Sequence, residues 1–112
     1  MTKVLTIKEL ESRFTSAQQS LSEIKSRIES GTETANDYEQ GLLLHNAVGF
    51  YKKQLSTAYI KILIDVFPCF KGNALYEDTI ISLIGQLGLE ILRETGTIES
   101  CGYTANGKLY TY

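Results

Sequence analysis

The sequence predicts a mainly α protein: an antiparallel helical hairpin, a third helix that completes a three-helix bundle, and a C-terminal β-hairpin. Apolar residues recur at Ile7, Leu10, Phe14, Ala17, Leu21, Ile24 and Ile28, alternately three and four apart. That spacing makes the stripe of an amphipathic helix, which has to meet another helix. The alternation returns at Leu44, Val48, Tyr51, Leu55, Ala58 and Ile62. Near the C-terminus, Asn106-Gly107 stands between runs of β-favouring residues, a strong short-range hairpin signal.

The first helix opens with Thr6 and, three residues later, Glu9, the spacing of a capping box. It closes at Ser30-Gly31, where glycine supplies the left-handed cap. A second helix begins near Thr34 or Asn36, with Asp37 and Glu39 in its first turn opposing the positive end of the helix dipole. Pro68 ends it by pushing Phe67 out of the helical region. About thirty residues at 1.5 Å each give a rod of roughly 45 Å. A second apolar set, Leu43, Ala47, Phe50, Ile60, Ile64 and Phe67, lies off its seam, so this helix is expected to be central.

After the turn Lys71-Gly72-Asn73, with Asn73 as cap, Leu75 to Thr95 carries Ile80, Ile81, Ile84, Leu87, Ile91 and Leu92 at helical spacing. Thr97 to Tyr103 and Lys108 to Tyr112 then flank Ala105-Asn106-Gly107. With Asn106-Gly107 as a two-residue turn, Ala105 faces Lys108, Tyr103 faces Tyr110 and Cys101 faces Tyr112, all on one side. Either the other side, with Ile98, Ser100, Gly102, Thr104, Leu109 and Thr111, lies against the third helix and leaves the tyrosines outward, or the tyrosine side is the packed one and covers the end of the bundle, since a two-stranded hairpin is marginal without support.

The first helix read as a parallel homodimeric zipper gives flanking pairs Thr6 with Glu11, Arg13 with Gln18, and Ser20 with Lys25, none of them an ion pair. Phe14 and Ala17 make the seam uneven, which suits an antiparallel partner that matches large to small. Packing on the second helix is therefore expected.

At 112 residues the chain reads as a single domain, 1–112, with its hairpin at 97–112. Eleven basic and thirteen acidic residues leave a net charge of -2, a total that attracts neither nucleic acid nor an anionic membrane. The charge is uneven: residues 73–112 hold two basic and five acidic side chains and repel phosphate. The start MTKVLTIKEL lacks the basic and apolar blocks of an export signal, and a cytoplasmic location is expected. The densest apolar stretch, Tyr59 to Phe67, is interrupted by Lys61 and Asp65, so no membrane role is expected. Cys69 and Cys101 read as small buried hydrophobes in a reducing compartment rather than as a disulfide.

Chemistry finds little footing. His45 is the only histidine, and most of a helix separates it from Cys69, which disfavours a Cys-His dyad. Three Cys and His residues without paired spacing do not make a zinc site. Asp37/Glu39 and Glu77/Asp78 fall at helix starts, where the dipole explains them. No phosphate-loop glycine pattern occurs. No catalytic residue, metal or cofactor is assigned, and the protein is not expected to be an enzyme.

Gly85-Gln86-Leu87-Gly88 reads either as a site of close helix approach or as a turn between two short helices. Leu92-Arg93-Glu94-Thr95-Gly96-Thr97-Ile98, followed by Asn106-Gly107-Lys108-Leu109-Tyr110, resembles the end of many winged-helix domains, over about a fifth of the chain. The resemblance implies a DNA-binding regulator. Against that, the segment after Gly88 is short for a recognition helix, and only Arg93 and Lys108 carry positive charge there. A third reading places a small anionic ligand in an oligomer at Lys52, Lys53, Tyr59 and Lys61.

The favoured reading is a protein-interaction module: an adaptor, inhibitor or assembly subunit, of the kind found among viral and mobile-element accessory proteins. Its partner is another protein or a second copy of the chain. Its contact surface is expected on the hairpin, at Tyr103, Tyr110, Tyr112 and Lys108, because tyrosine buries a large ring at low entropic cost while its hydroxyl finds a polar partner.

Overall fold

The elements run α1 (Ile7–Glu29), α2 (Ala35–Val66), β1 (Ala74–Tyr76), α3 (Glu77–Glu94), β2 (Glu99–Thr104) and β3 (Gly107–Thr111) in a computed structural model that describes residues 6–112. The start MTKVLTIKEL, read as lacking an export signal, has its first five residues outside the described residues. Three helices and a C-terminal antiparallel strand pair match the fold class that the periodicity predicts. The chain divides into two compact units, Met1–Gln54 and Leu55–Tyr112.

In the first unit, Thr6 is extended and accepts the Glu9 backbone N–H at 3.2 Å. Its hydroxyl meets the Glu9 carboxylate at 3.3 Å. At the other end of α1 the chain reverses through Gly31 at φ +76°, and a second box starts α2. The Asp37 N–H donates to Thr34 Oγ1 at 3.3 Å, and the Thr34 N–H donates to Asp37 Oδ2 at 3.0 Å. Arg27, in the last turn of α1, clamps the same carboxylate through Nη2 at 2.9 Å and Nε at 3.2 Å. Such bidentate geometry fixes direction as well as adding charge-assisted bonding. The Arg27 hydrogen bond, followed by the Thr34 N–H, holds the Asp37 carboxyl below the usual carboxylate range.

Farther along, a Cβ on Gly41 would lie 3.4 Å from Ile24 Cγ2. A shallow groove is lined by Arg13, Ser16, Ala17 and Ser20 of α1 with Leu44, Ala47 and Tyr51 of α2. These contacts descend one helix as they climb the other, so α1 lies antiparallel on α2 of its own chain. Not all of the α1 stripe sinks equally. Leu10, Phe14, Ala17 and Ile24 are buried, whereas Ile7, Leu21 and Ile28 are half-buried.

The second unit begins with the remainder of α2, which buries Leu55, Ser56, Tyr59, Ile60 and Leu63 and stops two residues before Pro68. Asn73 does not cap α3 as expected. Its side-chain amide donates to the Cys69 carbonyl at 2.7 Å and ties the turn. Leu75 does not begin a helix either: residues 74–76 form β1, in register Ala74–Thr111, Leu75–Tyr110 and Tyr76–Leu109 with β3. Three residues whose only strand partner lies more than thirty positions away carry no local signal of their conformation.

Helix α3 has no side-chain N-cap, but Glu77 and Asp78 complement the dipole. It breaks at Gly85 (φ 84°, ψ 170°), so the turn between two short helices is present there, while Gly88 stays helical. This backbone region is open to glycine almost alone. Gly85→Ala is therefore expected to destabilise by about 1–3 kcal/mol, although alanine is the better helix former. Urea unfolding checks the sign, and a gain in stability would contradict the break.

The sheet order is β1-β3-β2, all antiparallel. The hairpin turns through Ala105-Asn106, with the Asn106 N–H donating to Thr104 Oγ1 at 3.1 Å. Gly107, at φ 125°, is the first residue of β3. Tyr103 consequently pairs with Lys108 and not with Tyr110, a correction to the expected register. A second departure follows: Ser100 to Gly102 on β2 spans one step, Tyr110 to Leu109, on β3. The extra residue of this bulge is Cys101, so it does not face Tyr112. The core of the unit is completed by Phe70, Ile80, Leu89, Ile91, Leu92, Ile98 and Tyr110, none more than 1% exposed. Among the described residues, no helix is long and apolar enough to cross a membrane.

Candidate protein-interaction surfaces

Of the four hairpin residues expected to form a contact surface, one is core. Tyr110 is fully buried, its hydroxyl donating to Glu77 at 2.9 Å. The Arg93 guanidinium and the Lys108 ammonium stand 5.9 and 5.6 Å from its ring centroid. Burial, then the bond to Glu77, raises the Tyr110 hydroxyl above its ordinary pKa. Tyr110 therefore belongs to the packing, because β3 is the middle strand and its α3-facing side is covered. Tyr103, on the outer strand β2, is 80% exposed. Tyr112 is exposed and tilts against Phe70 with ring centroids 6.0 Å apart. Lys108 is half-buried.

Tyr103 and Lys108 line a pocket of about 360 Å³ with Glu77, Asp78, Asn106 and Gly107. Its two carboxylates and one ammonium suit a cationic or hydrogen-bonding side chain better than a phosphate. The helix that follows Gly85 exposes Gln86, Glu90, Arg93 and Glu94, two carboxylates against one guanidinium.

Of the residues considered for an anionic ligand, Lys52 and Lys53 fall in the first unit and Tyr59 and Lys61 in the second. Tyr59 is 1% exposed and belongs to the core, so it cannot line a surface site. Cys69 and Cys101 are both exposed free thiols, not the buried hydrophobes that composition suggests. The Pro68 corner presents Cys69 outward, and Cys101 lies on β2, whose six residues are all exposed. Among the described residues no group of three or more His, Cys, Asp and Glu side chains could hold a metal ion.

The surface that sequence reasoning saw only in part lies on the first portion of α2. Leu42, Leu43 and Phe50 are 63%, 60% and 58% exposed, with the exposed ring of Tyr38 beside them. Leu43 and Phe50 stand in the second apolar set of that helix, but periodicity alone assigns such a set to the interior. Leu42, outside both sets, carries no signal until its exposure is seen. The chain matches no family model, no curated protein and no solved structure.

Proposed function

We propose that the protein is a non-enzymatic protein-interaction module, an adaptor, inhibitor or assembly subunit, whose second unit has the build of a winged helix without its grip on DNA. Strand β1, helix 77–84, the break at Gly85, helix 86–94 and the β2–β3 hairpin follow one another along the chain. That order extends the winged-helix resemblance from the last helix and hairpin to most of residues 74–111. The observation that carries the reading is the charge of helix 86–94, the position from which a helix-turn-helix reads the groove. Glu90 and Glu94 flank Arg93 there, and the exposed Asp78 and Glu99 add to the negative field. Duplex DNA carries one negative charge per roughly 1.7 Å of axis and is held through several Lys and Arg contacts. This surface opposes it, whereas a protein partner with a basic or apolar face is accommodated. The exposed thiols of Cys69 and Cys101 suit a reducing compartment, and we place the protein in the cytoplasm.

Fluorescence anisotropy of a labelled duplex in about 50 mM salt tests this reading where electrostatic binding is strongest. No binding at micromolar protein is expected. Sub-micromolar, salt-sensitive binding would overturn the proposal in favour of a DNA-binding regulator.

A further inference from the structure

We propose that the outward stripe of α2 pairs with the same stripe of a second copy, antiparallel about a two-fold axis at Asn46. This names one partner for the interaction module proposed above and rests on that reading. Glu39, Leu42, Leu43, Asn46, Gly49, Phe50 and Lys53 are all exposed. At about 100° per residue they fall within an arc of roughly 120° centred on Asn46. Asp37, Gly41, Leu44, Val48 and Tyr51 occupy the opposite side, toward α1. The stripe is thus a second apolar seam with the coiled-coil spacing of three and four, and its Leu42, Leu43 and Phe50 are 63%, 60% and 58% exposed.

Its composition selects the occupant. Reflection of the numbering about Asn46 sets Glu39 opposite Lys53 of the second copy, Leu42 opposite Phe50, Leu43 opposite Gly49, and Asn46 opposite itself. Charges at the two ends are complementary only in this antiparallel sense. A parallel pair would oppose Glu39 to Glu39 and Lys53 to Lys53. Large meets small at Leu43 and Gly49, as interdigitating helices require, and a self-paired Asn fixes register.

Gly49 supplies an independent argument. A glycine inside a helix is unfavourable relative to alanine, and Gly41 has a reason for the exchange in the Ile24 side chain, 3.4 Å from where its Cβ would lie. A Cβ on Gly49 meets nothing within 4 Å, and its φ is not in the left-handed region. Among the described residues nothing requires glycine at this position, whereas a leucine from a second helix does. The stripe spans about 21 Å of helix from residue 39 to residue 53, at the small end of specific interfaces, so the pairing is expected to dissociate in the micromolar range.

Sedimentation equilibrium of the full chain at high micromolar concentration is expected to give twice the 12.5 kDa chain mass. Leu43→Glu and Gly49→Leu should each return the monomer with far-UV circular dichroism unchanged. Glu39→Lys should weaken association by about tenfold or more, and Glu39→Lys with Lys53→Glu should restore it. A monomeric wild-type chain overturns the proposal, as does a dimer indifferent to Leu43→Glu and Gly49→Leu, or one that the charge swap fails to rescue. None of these outcomes touches the DNA test, so a monomer that ignores duplex leaves the interaction module standing, and a dimer that binds duplex tightly does not rescue it.

Discussion

Tyr110→Ser is expected to melt the second unit, while Tyr103→Ser leaves its melting temperature unchanged. The two rings belong to neighbouring strands of one hairpin, yet one is fully buried and the other 80% exposed. Truncating a buried aromatic side chain removes its transfer free energy and leaves a cavity, together about 3–5 kcal/mol. For Tyr110 the loss includes a hydrogen bond to Glu77 and the ring beside Arg93 and Lys108. Tyr110→Phe isolates the hydroxyl and should cost about 1 kcal/mol. An exposed position without such features usually stays within about 0.5 kcal/mol. Thermal unfolding of the three variants separates these values. Equal and small losses at Tyr103 and Tyr110 would show that the hairpin does not close the core. Should Tyr103→Ser also abolish capture of a partner without a change in stability, the outer strand is the working surface.

Phe14→Ala is expected to be the most damaging change in α1, at about 3–5 kcal/mol, with Ile24→Ala at about 2–5 kcal/mol. Leu21→Ala should cost less than either. All three belong to the same seven-position stripe, and the periodicity treats them alike. The structure ranks them: Phe14 is 1% exposed and Ile24 5%, whereas Leu21 is half-buried. The cavity contribution scales with how completely a side chain is enclosed, so Leu21 ranks below Ile24 by burial at equal size, and Phe14 stands first because it is both enclosed and larger. Ser22→Ala, on the solvent side, is the neutral reference. Urea midpoints in this order support the packing of α1 along α2. Equal losses at Leu21, Ser22 and Ile24 would contradict it.

These rankings mark where the sequence is legible. Helices α1 and α2 can be read directly because their signals are local: caps at Thr6 and Thr34, a stop at Pro68, and apolar repeats of three and four. β1 is illegible because Ala74-Leu75-Tyr76 becomes a strand only through β3, and helical spacing of the residues beyond it invites an earlier helix start. The hairpin exists where Asn106-Gly107 puts it, but its register turns on which residues occupy the two turn positions. A shift there separates Tyr103 from Tyr110. The bulge at Cys101 is a further slip that alternation cannot foresee. As for the candidate surfaces, the lysines of α2 read as a patch only while the helix is a line of letters. In three dimensions Tyr59, grouped with them, is core, and the apolar pair Leu43 and Phe50 that looked like core remains in view.

The position of β2 has a consequence for how the protein behaves at high concentration. It is an edge strand of six exposed residues, and an uncovered edge is a template on which another chain can extend the sheet into fibrous aggregates. Three features of this edge oppose such growth. Glu99 places a charge at its start, the bulge between Ser100 and Gly102 interrupts its regular spacing, and Gly102 weakens its extended preference. Cys101 and Gly102, which fit the hairpin poorly as packing residues, thus serve as guards against filament growth, and smoothing this strand with β-branched residues would trade solubility for local order.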